Sequence, residues 1–171
     1  MRRALALLSA VSSTTTGFLS LERTGRFSVI VRGMGDFTTT EEERAIAAGM
    51  RKAEGSAAAV APSVAGCAID EGIQKYVLVQ AGERYFVRGN ARAAYHKDAA
   101  RSLVDELGAL GVAHEVLGGG RIQADLANKK IKIYGHSFGF PWQGAYRHDL
   151  SAAVVRDAHP DCEVTTSDEG Y

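Results

Sequence analysis

The sequence predicts an α/β fold of the α+β kind: a mixed six-stranded β-sheet flanked by two helices, behind a largely unstructured N-terminal extension. Three observations predict it. Short runs rich in β-branched and aromatic residues recur from Lys75 to Thr166. Two stretches between those runs carry helix signals, one of them a stripe of apolar residues at spacings of three and four. The first 63 residues instead open with many Ser and Thr and close on a small-residue-rich segment.

Residues 1–21 hold Arg2 and Arg3 and no acid before Glu22, a composition shared by organellar transit peptides and disordered tails. The apolar run at residues 4–11 is interrupted by Ser9 and is short for a secretory signal. Thr40 and Glu43 have capping-box spacing, and Ala45, Ile46 and Met50 follow at near-helical intervals. A short helix is expected between residues 40 and 52, one that need not pack on anything. Residues 54–66, EGSAAAVAPSVAG, read as a linker. The expected division is an extension over residues 1–63 and a folded domain over residues 64–171.

In that domain residues 75–81, KYVLVQA, and 84–88, RYFVR, are strand-like and separated by Gly82 and Glu83, the signal of a hairpin. Asn90 is the expected cap of a helix with the stripe Tyr95, Ala99, Leu103, Leu107 and Leu110, ending at Gly111. Residues 112–117 follow as a strand. Gly118, Gly119 and Gly120 let the backbone take positive φ or approach a neighbour closely before Arg121 and Ile122 resume an extended run. Asn128 turns the chain. Residues 129–135, KKIKIYG, alternate Ile131 and Ile133 with Lys130 and Lys132, as a strand with one buried face does. A polar and aromatic loop occupies residues 136–144. Asp149 or Ser151 is the expected cap of the last helix, Pro160 stops it after Ala158, and residues 162–166 form the final strand.

Composition excludes several classes of function. The chain has 171 residues, 46% hydrophobic and 23% charged, enough for one substantial core. Net charge is zero, and from Val64 onward 12 Lys and Arg face 14 Asp and Glu, so no basic field exists to hold nucleic acid. No apolar run reaches the roughly 18 residues of a membrane-spanning helix, so no membrane partner is expected. Cys67 and Cys162 lack the spacing of a zinc site and read as ordinary thiols. No cluster of Asp and Glu suggests a bound divalent cation, and no cofactor is expected.

His96 lies one residue past Tyr95, about 100° round the helix, at the edge of the buried stripe, where it can look into a cleft. A lone helical His is more often a packing residue. His114 and His159 are flanked by ordinary strand and helix residues and read as structural. His136 and His148 flank the loop after KKIKIYG, and His148 is the better second candidate. In GGGRI, Arg121 directly follows a flexible turn, and a guanidinium can grip phosphate through paired hydrogen bonds. Gly135, Ser137 and Gly139 formally match the GxSxG nucleophile elbow, but Pro141 and a loop follow where the elbow needs a helix. A loop of small residues instead exposes consecutive backbone N–H groups, which suits an anion.

Together KYVLV, VRGNARAAYH, LGGGRI, KKIKIYGHS and HPDCEVTTSDEGY, in that order, resemble the Janus/Ocnus family of protein phosphohistidine phosphatases across residues 64–171. The resemblance implies that His96 is the catalytic general base or nucleophile. It implies that Lys75, Arg88 and Arg121, with Ser137, Phe138 and Gly139, hold the phosphate. His148 matches a supporting His once a short insertion at Pro141 and Trp142 is allowed, and that insertion is expected to alter the cleft rim. The chain departs from the family at His136 and Phe138, where Tyr and Met are frequent.

The implied activity is metal-independent hydrolysis of the N–P bond of phosphohistidine in proteins or peptides by a monomeric enzyme, with phospholysine as a further allowed substrate. The rival reading is a non-catalytic phosphoprotein-binding module of the same fold. A zinc hydrolase built on His96, His136 and His148 lacks any HExxH or paired-Cys pattern. The expected compartment is the cytoplasm, or the mitochondrion or plastid if residues 1–21 are a transit peptide.

Overall fold

A computed structural model of the chain describes residues 39–56 and 63–170. The transit-peptide reading of residues 1–21 and the central part of the linker reading lie outside those residues. The elements run α1 (Glu41–Met50), β1 (Lys52–Ala53), β2 (Cys67–Ala68), β3 (Gly72–Ala81), β4 (Arg84–Asn90), α2 (His96–Ala109), β5 (His114–Asp125), β6 (Lys130–Tyr134), α3 (His148–Ala158) and β7 (Glu163–Ser167). The strands form one mixed sheet in the order β2-β4-β3-β5-β6-β7, with β1 paired to the first residues of β5.

The predicted fold class holds, with seven strands in place of six and three helices in place of two. The extended run expected to resume at Arg121 and Ile122 is not a separate strand, because the glycine triplet lies inside a continuous β5. The additional strands, β1 and β2, are two residues long, too short to leave a periodic signal. The third helix, α1, begins at its expected cap, Thr40 Oγ1 accepting from Glu43 N at 3.2 Å. It does pack: Ala47 is buried in the same cluster as Phe140 and Leu103.

Each sheet face carries its own core. Val77, Val79, Phe86 and Val116 point to α2, whose buried stripe is His96, Ala99, Ala100, Leu103 and Leu107. Tyr76, Leu78, Val87, Ile122, Ile131 and Ile133 point to α3, which buries Ser151, Ala152 and Val155. The alternation of side chains along each strand, read in the sequence only for KKIKIYG, is the cause of this division. A bulge at Leu117 resets it in β5: Val79 pairs with Val116, whereas Leu78 pairs with Gly118. The extra residue turns Gly119 and Arg121 onto the same face as Val116, which simple alternation would forbid.

Helix starts are where local signals misled. Asn90 Oδ1 accepts from Arg92 N at 2.8 Å and closes a turn, while α2 begins five residues after Ala91, with Tyr95 as its N-cap. Asp98 reaches back from the first turn and accepts from Tyr95 N at 2.9 Å. Tyr95 is thus half-buried outside the stripe, and Leu110 beyond the helix is exposed. Arg147, not Asp149 or Ser151, is the N-cap of α3, because Ser151 is buried inside the helix against Tyr76. No helix of the described residues is long and apolar enough to cross a membrane.

Candidate active site

The first residue of α2 is His96, so its ring stands where the helix meets the sheet, and it is 6% exposed. Nε2 lies 3.0 Å from Gly120 O. A carbonyl can only accept, so Nε2 carries the proton and Nδ1 keeps the lone pair of a neutral imidazole. Burial is the chief cause that pushes the His96 pKa down to about 4, and the charges of Lys75, Arg121 and His136 add to it against the Gly120 hydrogen bond. The positive end of the α2 dipole acts in the same direction and also favours an anion nearby. A neutral ring of this kind can accept a proton or a phosphoryl group.

Cross-strand register supplies the cations. Lys75 of β3 pairs with Arg121 of β5, which pairs in turn with Tyr134 of β6, so three side chains share one row of the face that carries His96. Lys75 is held below the ordinary lysine range by burial and by Arg121, with Asp98 opposing.

The glycine triplet makes room for this arrangement by close approach, not by a turn. None of the three has positive φ among the described residues. A Cβ on Gly119 would lie 2.5 Å from Tyr76 O, 3.2 Å from the His96 ring and 3.3 Å from Ser137 Cβ. His96 and Ser137 therefore both pack against the space that a side chain at Gly119 would fill. A Cβ on Gly118 would overlap the Trp142 indole on the opposite face, and one on Gly120 would lie 2.5 Å from Tyr134 O.

The loop after β6 opens at Gly135, whose φ of 69° is left-handed. Ser137 is fully buried and its Oγ accepts from Phe140 N at 3.1 Å. Phe138 is 48% exposed, with His136 edge-on at 4.9 Å. No helix follows Ser137 until α3, so the elbow reading finds no counterpart in the backbone.

His148 approaches the same loop from the other side of the sheet. It too is the first residue of its helix, and its Nε2 donates to Gly135 O at 3.0 Å. Its Nδ1 is 2.7 Å from the Tyr76 hydroxyl, which also contacts Ser151 Oγ at 3.2 Å. With Nε2–H used on Gly135, Nδ1 can only accept, and the Tyr76 hydroxyl is the donor within reach of it. Both ring nitrogens are thereby occupied, and burial holds the His148 pKa below its ordinary value. His148 supports the loop from beneath; it does not face the row of cations. Among the described residues no group of three or more His, Cys, Asp or Glu is arranged to hold a metal ion.

The structure brings His96, Lys75, Arg121 and Ser137 to one end of the sheet face, but not Arg88. Arg88 pairs with Val77, one row further under α2, and its guanidinium donates to the carbonyls of Ala65 at 2.7 Å, Val87 at 3.0 Å and Gly66 at 3.3 Å. Its charged neighbour is Glu106, ten residues or about 15 Å along α2 from His96. Trp142, expected at the cleft rim, is instead buried on Gly118 and edge-on to His148 at 5.4 Å. Sequence reasoning missed Tyr76 as a partner of His148, because a Tyr in an apolar strand carries no signal of which group its hydroxyl meets. His114, read as structural, bonds Val112 O through Nδ1 at 3.1 Å.

Comparison with known proteins identifies the family. The Janus/Ocnus family (Ocnus) matches residues 61–163. The 14 kDa phosphohistidine phosphatase of Sus scrofa is 37% identical over 112 residues, covering 59% of this chain and 86% of the relative. The protein of the same name from Homo sapiens is 33% identical over 112 residues, covering 59% and 87%. The sex-regulated protein janus-A of Drosophila pseudoobscura pseudoobscura is 34% identical over 112 residues, covering 60% and 73%.

Proposed function

Because the chain belongs to the Janus/Ocnus family, we propose that it is a protein phosphohistidine phosphatase whose reacting group is His96. The observation that carries the reading is the state of that ring. Its Nε2–H is held by Gly120 O, its Nδ1 lone pair is uncharged, and Lys75 and Arg121 sit beside it in register.

Hydrolysis of phosphohistidine joins an oxygen of water to phosphorus as the N–P bond breaks, and the substrate imidazole leaves with a proton. The bond is labile, so the protein's task is to position the phosphoryl group, offset the charge on its oxygens and supply a nucleophile in line. Lys75, Arg121 and the backbone N–H groups of residues 137–139 provide the positive surroundings. His96 Nδ1 either takes a proton from the attacking water or takes the phosphoryl group itself and passes it to water. Both routes need the uncharged ring. The chemistry uses side chains and main-chain donors throughout, and activity in EDTA is expected. Substrates are phosphohistidine-containing proteins or peptides.

The test is phosphate release from a phosphohistidine peptide in EDTA by the wild type and by His96→Ala. Steady turnover by the wild type, with loss of at least a thousandfold in the folded variant, is expected from removing the reacting group. Stoichiometric binding without release would identify a phosphoprotein-binding module instead.

A further inference from the structure

Helix α1 lies ahead of the residues matched by the family, yet it touches both halves of the site. Glu43, Ala47 and Arg51 are four residues apart and so share one face. Glu43 is 3.0 Å from Lys97 Nζ, which also pairs with Asp98 at 3.1 Å. Lys97 and Asp98 directly follow His96 in the first turn of α2, and Asp98 holds Tyr95 N. The Lys97 and Glu43 side chains are only 12% and 20% exposed, so salt screens this pair less than a surface one.

At the other end Arg51 Nη2 donates to Pro141 O at 2.8 Å, with its guanidinium 5.9 Å from the Phe140 ring centre. Between them, Ala47 Cβ is 3.3 Å from where a Cβ on Gly139 would stand, so helix and loop meet almost backbone to side chain. The helix is itself tied to the sheet. Val116 N donates to Arg51 O at 2.7 Å, and β1 continues the pairing along β5.

We propose that α1 is a brace that sets the distance between His96 and the backbone of residues 137–139, making Glu43 and Arg51 positioning residues for this chain. The inference rests on reading residues 137–139 as the phosphate-holding loop. A loop with neither helix nor strand from Gly135 to Arg147 takes its shape from such contacts. Arg51 acts on the loop half and Glu43, through Lys97, on the His96 half, so the two substitutions affect different constants.

The experiment uses the full chain with Arg51→Ala, Arg51→Lys and Glu43→Gln, titrated with inorganic phosphate by amide NMR and assayed for turnover. Arg51→Ala is expected to weaken the phosphate Kd and raise KM by about three- to tenfold, the loss of one charge-assisted hydrogen bond, with Arg51→Lys recovering part of it. Glu43→Gln, near-isosteric and compatible with the helix, is expected to lower kcat by about twofold or more while leaving the phosphate Kd unchanged. Variants that lose only thermal stability, with Kd, KM and kcat within twofold of wild type, overturn the brace. Phosphate titration needs no turnover. A wild type that binds phosphate but does not hydrolyse phosphohistidine therefore overturns the proposed function and leaves the brace to its own Kd comparison, and a wild type that binds no phosphate overturns the brace.

Discussion

Two arginines on one sheet face have different surroundings, and register decides which is which. Arg121 shares a row with Lys75 beside His96; Arg88 lies one row deeper, with its N–H groups committed to three carbonyls. On the proposed mechanism Arg121→Ala is expected to raise KM by about tenfold or more, because charge-assisted contacts to the phosphoryl group would be lost, with a smaller drop in melting temperature than Arg88→Ala. Arg88→Ala is expected to leave KM unchanged and to destabilise the fold by about 2 kcal/mol, because buried carbonyls lose their donor. Steady-state kinetics and a thermal melt on the same two variants separate these outcomes. The sequence made both arginines visible but not their difference. VRG and GGGR each place an Arg in a strand, and only strand pairing and the path of α2 tell which guanidinium lies in the row beside His96 and which is held by backbone carbonyls. His96 was singled out by its place beside the apolar stripe and by the family resemblance; that it opens the helix was not legible, because Asn90 was the expected cap. Its tautomer was not legible either, since that depends on Gly120, a residue 24 positions away.

At the scale of elements, β5 organises the site, and its three glycines serve three different neighbours. Gly118 receives the Trp142 indole, Gly119 leaves the space against which His96 and Ser137 pack, and Gly120 accepts the close approach of the backbone at Tyr134 and Gly135. The sequence offered positive φ and close approach as equal explanations; the second holds, because a strand with partners on both sides has no freedom to turn. Gly119→Ala tests it. A methyl 2.5 Å from Tyr76 O must displace the backbone of β3 or β5, so a destabilisation of about 2 kcal/mol and loss of most turnover are expected. Urea unfolding and the release assay measure the two effects. An alanine accommodated with full activity would show that the space at Gly119 does not matter. The hairpin of β3 and β4 was readable from its two turn residues, whereas the bulge at Leu117 was not. A bulge changes which face a residue occupies without changing the residue types that a strand contains.

For the molecule as a whole, both helices that flank the sheet begin with a buried neutral histidine, and this makes stability depend on pH in a definite direction. His96 titrates near 4 when folded and near 6.5 when unfolded, and His148 is shifted the same way by burial. Above pH 6.5 neither state binds the proton, and these groups leave stability unchanged. As pH falls from 6.5 towards 4 the unfolded chain becomes protonated while the folded one does not, so stability is lost across that window and levels off below it for His96. The His96 contribution alone is about 3 kcal/mol at the acid end, a large share of a domain's usual margin. Activity has a different window. The proposed mechanism needs the uncharged ring, so kcat/KM is expected to stay flat above about pH 5 and to fall with a midpoint near 4, where His96 itself takes a proton. The unfolding midpoint in urea should therefore begin to drop at a pH where kcat/KM is still at its plateau. In His96→Gln the pH dependence of stability between 6.5 and 4.5 should be smaller, with the remainder due to His148. If wild type and variant lose stability in parallel across that range, His96 is not held neutral by the fold, and the plateau in kcat/KM would have to come from another group.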